Sequence, residues 1–483
     1  MSRSKKFLIA GLLALPFMLS ACSQYKSVEH AQDLAQLPKT AAEFELEGRF
    51  HNQQPIAGWW AQLNDEQLNH LIDTALAHNH TIRIAQASLL ESRALLRNSR
   101  MDWFPTVETE VGANREKLSD DARMPGNPRI SETYHAGFDA SWELDLFGRI
   151  NNQVKLSQAQ LDARLADVHS AQITIAAEVA SAYIALRGNQ YLLAVAEDNV
   201  RNQQESYRMV QAFVEVGRSD QFDIARARAQ TELTQARIPG LQAEVNIAIN
   251  RLGVLTHQPA PELKAQLAQP QSLPSLPATV AVGNPVEMLK RRPDIRRAEF
   301  VLRGAVAEYN VRVADLYPRV TFNGGLGYLS SDWSRLGGDE TERFSFAPSI
   351  HWAAFNLGRV HAQIDAADAR TQARLAEFEL SLLRALEETD NALQNFSREE
   401  ERRARLQEAA QASTQAARFA RQRFEIGTSD FLSVLDAERS QLDISAQLAQ
   451  SETQLLLNLI AVYKALGGGW QVEPDASQVL SAR

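Results

Sequence analysis

The sequence predicts a chain that is mainly α with a membrane β-barrel, built from two internal repeats. Three observations carry this. Two long stretches, 150–216 and 359–426, are almost free of Gly and Pro, the first broken only by Gly188 and the second not at all. Each follows a pair of short segments in which apolar and polar residues alternate. The residues around "SWELDLFGRI" also return in register around "HWAAFNLGRV".

The chain starts with Arg3, Lys5 and Lys6, then an apolar run from Phe7 to Leu19. That run is shorter than the roughly 20 residues a spanning helix needs, so residues 1–21 read as a signal peptide. It closes on Leu19-Ser20-Ala21-Cys22, which resembles the bacterial lipobox. Cys22 is the only cysteine in 483 residues, which rules out an internal disulfide or a cysteine-built metal site. The resemblance implies cleavage before Cys22, a diacylglycerol on its thiol, an N-acyl group on the new terminus, and a lipidated N-terminal segment over 22–57. The other reading is an incidental cysteine beside a conventional cleavage site. Ser23 stands where an Asp would favour inner-membrane retention, so the outer membrane is the expected address.

Losing the three basic residues of the signal moves the formal charge from −9 to −12, which argues against nucleic acid as a partner. No long apolar run follows the signal. Any crossing of a membrane must therefore use a closed β-barrel, because bare strand edges cannot be left in lipid.

Trp142, Gly148 and Arg149 recur as Trp352, Gly358 and Arg359, an offset of 210. The same offset carries Glu215, Gly217, Ser219 and Asp220 onto Glu425, Gly427, Ser429 and Asp430. Seven matches in register argue for an internal duplication. We place the first repeat at 58–256, a connector at 257–290, the second repeat at 291–470 and a tail at 471–483. Seven prolines between 259 and 293 prevent the connector from being one long helix.

Four strands are expected, over about 105–114, 134–143, 318–329 and 343–352. In the first, Val107, Thr109, Val111 and Ala113 alternate with Glu108, Glu110, Gly112 and Asn114. Lengths of roughly 9–11 residues and aromatics near the ends suit tilted transmembrane strands. Alternation alone also suits a soluble hairpin packed by its apolar face. Pro348 inside the last strand is tolerable only at an edge or bulge. Connectors 114–133 and 329–343 are long and polar enough for external loops.

The long helices are expected over 149–216 and 359–426, each about 100 Å long at 1.5 Å per residue. Such helices need neighbours along their length, and Ala171, Ala176, Ala177, Ala180 and Ala182 permit close approach. Both end on the same signal, "VEVGRSD" and "FEIGTSD". Gly217 and Gly427 suit the left-handed turn, and Ser219 or Asp220 and Ser429 or Asp430 suit the cap of a returning helix. One returning helix reaches about Leu252 with a kink expected at Pro239-Gly240; the other spans Phe431 to Leu466. Upstream, Asn64 or Asp65 suits the cap of a helix holding Leu68, Leu71, Ile72 and Leu76, and Thr81 the cap of another ending near Arg100.

Four strands cannot close a barrel, so several chains must combine. Here the resemblance becomes specific: the chain resembles the outer-membrane efflux protein family (TolC-like), and in detail its NodT-type lipoprotein subgroup. It rests on "GWWAQLNDEQLNHLI" at Gly58–Ile72, "RRPDIRRAE" at Arg291–Glu299, "LYPRVTF" at Leu316–Phe322, "FEIGTSDFLSVLDAERS" at Phe424–Ser440 and "YKALGGGW" at Tyr463–Trp470. The resemblance implies a homotrimer with a 12-stranded β-barrel continuous with a 12-helix periplasmic α-barrel. It also implies a periplasmic adaptor and an inner-membrane pump of the resistance-nodulation-division type. The chain would then be a passive exit duct for drugs or other small molecules, without catalytic residues. A duct for secreted proteins and a lipid-anchored periplasmic scaffold are the alternatives.

By the same resemblance Asp223 and Asp436 match acidic gate positions, and three copies would crowd carboxylates around one axis. Asp220 and Asp430 join them as candidates, with plain helix capping the competing role. Ser433 and Ser429 stand where some relatives carry an acidic and a basic residue, so the expected ring is thinner and its salt bridges differ. His70, His78 and His80 read as solvated surface, and the six methionines form no soft-metal cluster, so no metal site is expected. Gly467-Gly468-Gly469 follows a helix and reads as its stop, and no nucleophile-elbow sequence supports an enzyme.

Overall fold

A computed structural model describes residues 25–26, 49–51, 58–119, 121, 124, 126, 128–282 and 289–468. The expected signal peptide, Cys22 and the tail 471–483 lie outside them. In chain order the elements are β1 (Phe50–His51), α1 (Glu66–His78), α2 (His80–Met101), β2 (Thr106–Lys117), β3 (Ile130–Leu144), α3 (Arg149–Glu215), α4 (Gln221–Gln235), α5 (Ile238–Thr256) and α6 (Ala260–Leu267). Then come β4 (Val280–Ala281), α7 (Pro293–Ala314), β5 (Arg319–Ser330), β6 (Glu342–His351), α8 (Leu357–Glu425) and α9 (Phe431–Ala465). Two compact units result: one holds the described parts of Met1–Leu37, Ser88–Leu165 and Arg297–Leu380, the other those of Pro38–Ala87, Ala166–Arg296 and Ser381–Arg483. No helix among the described residues is long and apolar enough to cross a membrane.

The first unit carries an antiparallel sheet in the order β2-β3-β5-β6. Its register aligns Thr109, Phe138, Leu326 and Phe344 in one row across the strands, and Glu108, Asp139, Gly325 and Ser345 in the next. Because side chains alternate, the first row belongs to an apolar face and the second to a polar one. The apolar face is bare: Val107, Val111, Phe138, Leu326, Phe346 and Ile350 are exposed, and Phe344 is 86% exposed. Pro348 falls on β6, an edge strand, where a missing N–H breaks no internal ladder.

The strands run past the expected ends. β2 continues to Lys117 and β3 starts at Ile130, because polar pairs such as Asn114↔Thr133 and Arg115↔Glu132 prolong the ladder, with an Arg115–Glu132 ion pair at 3.2 Å. At the other end, Trp142 donates its indole N–H to the Trp103 carbonyl at 3.0 Å, and Trp352 donates to that of Leu316 at 2.9 Å. Below the sheet, α7 and α8 meet along a seam. Leu302, Val306, Tyr309 and Val313 of α7 recur at spacings of four and three, as do Val360, Ile364 and Ala367 of α8.

In the second unit Asp65 is the N-cap of α1, accepting from Leu68 N at 2.9 Å, and also takes the Tyr183 hydroxyl at 2.8 Å. Burial is the main force pushing the Tyr183 phenol up to about 12. Arg187, fully buried, donates to Gln190, Gln67 and Gln271 side chains and to the Gln269 carbonyl, tying α3 to α1 and to the chain after α6. Gly188 lets α3 approach α9 closely, since a Cβ there would meet Thr453 Oγ1 at 2.4 Å. Arg292 closes the far end of α9, donating to the Ala465 carbonyl at 2.6 Å while pairing with Asp294 and Glu388. There Gly467 adopts φ +69° and stops the helix.

Two expectations are corrected. The cap of α2 is Asn79 rather than Thr81: its Oδ1 accepts from Thr81 N at 2.8 Å while its amide donates to the Leu255 carbonyl, so one buried side chain caps two helices. The break in the returning helix comes at Ala236–Arg237, before Pro239, which sits in the first turn of α5 where a missing N–H costs nothing. His70, His78 and His80 are all exposed, and the His80 ring meets the His257 ring edge-on at 4.4 Å.

Candidate functional site

The two helix turns close with the same backbone geometry. After α3, Gly217 takes φ +73°, Gly217 N–H bonds the Val214 carbonyl at 3.0 Å and Arg218 N–H that of Phe213 at 2.7 Å. After α8, Gly427 takes φ +78°, and Gly427 and Thr428 N–H groups bond Phe424 and Arg423 carbonyls at 3.0 and 2.9 Å. Both are Schellman stops, which need a residue free to adopt the left-handed region.

Asp220 and Asp430 then start α4 and α9. Asp220 Oδ1 accepts from Phe222 N at 2.9 Å and Asp223 N at 3.0 Å. Asp430 Oδ1 accepts from Ser433 Oγ at 2.6 Å and Ser433 N at 3.0 Å. The Ser433 hydroxyl and then its N–H hold the Asp430 carboxyl below its ordinary range, with the Arg226 charge adding to them. Ser433 is thus more than a missing acid: it supplies the cap's second donor. Asp223, half-buried in the first turn of α4, accepts from Ser219 Oγ at 2.7 Å. Asp436 is exposed on α9.

The structure brings the two turns together through an apolar cluster of Val210, Ala227, Phe424, Phe431 and Val434, with Phe213 and Ile224 packed against it. Phe424 lies 5.2 Å from Phe213 and 5.3 Å from Phe431, ring to ring. Arg218 stacks 4.7 Å over Phe213 and reaches across the turns, so that a Cβ on Gly427 would meet its Nη2 at 2.5 Å. α3, α4, α8 and α9 therefore share one core at the turns.

Beyond that core lies a buried polar group that the sequence reading passed over. Glu438, 4% exposed, accepts from Ser206 Oγ at 2.6 Å and from Arg421 Nη2 at 2.7 Å, both on Oε1. Its Oε2, Arg421 Nε and both amide atoms of buried Gln203 have no hydrogen-bond partner. The sequence did carry a signal: Val434, Glu438 and Leu442 are spaced by four, which sets the acid in the middle of an apolar stripe. Among the described residues no three His, Cys, Asp or Glu are placed to hold a metal.

Comparison with known proteins agrees with this geometry. The family model described as outer membrane efflux protein matches residues 71–256 and 284–468, well over half of the chain. The chain is 31% identical over 414 residues to the solvent efflux pump outer membrane protein SrpC of Pseudomonas putida, covering 85% of this chain and 87% of that protein. It is 31% identical over 418 residues to the cation efflux system protein CusC of Escherichia coli, covering 86% and 89%. Among solved structures, the outer-membrane channel OprN superposes with a TM-score of 0.85 at 38% identity over 90% of this chain and 98% of that one. The open state of the Neisseria gonorrhoeae MtrE outer membrane channel gives 0.78 at 28% identity, over 89% and 95%. The chain belongs to the outer membrane efflux protein family, whose members are non-enzymatic channels of efflux pumps.

Proposed function

We propose that this chain is the exit duct of a tripartite efflux system, and that three copies close one 12-stranded barrel continuous with a 12-helix periplasmic α-barrel. The observation that carries the reading is the sheet itself. It has two open edges, β2 and β6, and an exposed apolar face, which together suit a wall shared between chains and solvated by lipid. The partners are a periplasmic adaptor and an inner-membrane pump of the resistance-nodulation-division type, which supplies the energy. Relatives are named for solvents, toluene, cations and antibiotics, so the cargo class is small molecules chosen by the pump.

The duct closes at the helix turns, with Asp223 and Asp436 setting its response to cations and Asp220 and Asp430 serving as caps that also add negative charge. Cys22 carries the lipid that anchors the chain in the outer membrane. Planar-bilayer recording tests both parts. Detergent-extracted, heat-modifiable trimers that conduct ions are expected, with block by divalent cations lost when Asp223 and Asp436 are replaced by Ala. Monomers that pass no current would refute the duct, and undiminished block in the double variant would refute the gate assignment.

A further inference from the structure

Two residues close to the start of the mature chain are held in a site of their own. Asn310, 7% exposed on α7, accepts the Lys26 backbone N–H through Oδ1 at 3.0 Å and donates through Nδ2 to the Lys26 carbonyl at 3.0 Å. Its amide therefore acts as the edge of a strand, reading backbone rather than side chain. Without Lys26 both ends of this nearly buried amide would lose these partners, a loss that native interiors avoid. Around it, the Lys26 ammonium pairs with Asp368 of α8 and lies 4.6 Å from the Tyr309 ring centroid. Tyr25 packs on the α7–α8 seam, against the cluster of Tyr309, Val313, Val360, Ile364 and Ala367, and its hydroxyl donates to the Phe147 carbonyl.

The place matters as much as the fit. Phe147 lies in the link from β3 to α3, and stacks at 4.8 Å on Tyr317, in the link from α7 to β5. The dock therefore spans the junctions where strands become helices. Trp142 and Trp352 anchor the same end of the sheet, as indoles do at a membrane surface. Cys22 precedes Tyr25 by three residues, a reach of about 10 Å at full extension.

We infer that Tyr25 and Lys26 form a docking strap that seats the lipid-bearing N-terminus at the foot of the strand sheet, so that the acyl chains enter the periplasmic leaflet beside the barrel wall. The lipid half of this inference rests on the lipoprotein reading of Cys22; the dock does not. The strap also joins the two halves of the chain, since Phe147 belongs to one and Asn310 and Asp368 to the other. An N-terminal tether that only prevents diffusion would need none of these contacts.

The test is proximity trapping in the full-length protein in outer-membrane vesicles. Lys26→Cys/Asp368→Cys is treated with a short bis-maleimide, once with the native lipobox and once with Cys22→Ala behind a conventional cleavable signal. Near-complete bridging is expected in both backgrounds. Adding Asn310→Leu, or the milder Tyr25→Ala should Asn310→Leu fail to assemble, is expected to lower the docked-to-free ratio at least about fivefold, the worth of one net hydrogen bond, read as a clear drop in bridging after a short pulse of reagent. Bridging no better than in the Tyr25→Ala variant, or bridging only when Cys22 is present, would overturn the strap, because the lipid alone would then be placing the tail. Mass spectrometry of the N-terminal peptide of the native-lipobox protein, before trapping, reads the other half. Acylated Cys22 supports the lipid placement, and unmodified Cys22 overturns it together with the lipoprotein reading while the bridging still reports on the dock.

Discussion

Glu438 offers the sharpest test of what holds the helix turns together. Glu438→Gln keeps the shape but removes the charge that Arg421 faces at 2.7 Å, leaving Glu205 at 3.8 Å as its nearest acid. Breaking a fully buried pair from one side costs about 3–5 kcal/mol. The Arg421 side chain is 28% exposed and keeps that second acid, so we expect about 2–3 kcal/mol. Arg421→Met should cost a similar ~2–3 kcal/mol, because Glu438 then keeps only Ser206. Replacing both with apolar residues of like volume, Glu438→Leu/Arg421→Met, removes the buried charges together and should cost under about 1.5 kcal/mol. Thermal denaturation of the parent, Glu438→Leu, Arg421→Met and the double variant in one detergent at one scan rate gives the cycle, with Glu438→Gln as the isosteric control. Bilayer recording on the same samples should show longer openings for the single variants, because the pair ties α8 and α9 to Ser206 of α3. A double variant that costs the sum of the singles, within about 0.5 kcal/mol, would refute the coupling.

Three further outcomes follow from named contacts. Gly217→Ala meets open space and should lose only the left-handed backbone preference, about 1 kcal/mol, whereas Gly427→Ala must also displace Arg218 and should lose more, as read by comparative melting. Gly188→Val should drive α3 off α9 and lower the melting temperature, with Thr453→Ala partly restoring it. Burial first, and the nearby Arg296 charge second, hold the His169 imidazole down to about 4. The folded state therefore binds fewer protons than the unfolded one between about pH 4 and 6.5, so stability is full above pH 6.5 and falls as the pH drops toward 4. Allowing for its partial exposure, about 1–2 kcal/mol is at stake, and His169→Gln should flatten the melting-temperature profile across that range.

Much of the architecture is legible because single residue types decide it. Glycine takes the left-handed positions 217 and 427 without strain, so both helix stops can be read from the chain. Alternation finds the strands, yet the ends are blurred because hydrogen-bonded pairing continues through polar residues such as Arg115 and Glu132, which carry no apolar signal. Thr81 and Asn79 are both plausible caps. The choice fell to Asn79 through its contact with Leu255, 176 residues away, which no local window contains. The acids at the turns illustrate the same limit. Asp220 and Asp430 are conspicuous, whereas Glu438, the acid most deeply committed to its neighbours, is recognisable only once the stripe through Val434 and Leu442 is known to face inward.

The open rims at β2 and β6 have a genetic consequence. If every wall needs a sound strand from each of three subunits, a variant with a spoiled rim does more than fail to contribute: it ruins the complexes it joins. Equal co-expression with the parent would leave only about one complex in eight wholly intact, and efflux should drop accordingly. Such alleles should behave as dominant poisons, while changes that merely keep the product out of the pool should be recessive.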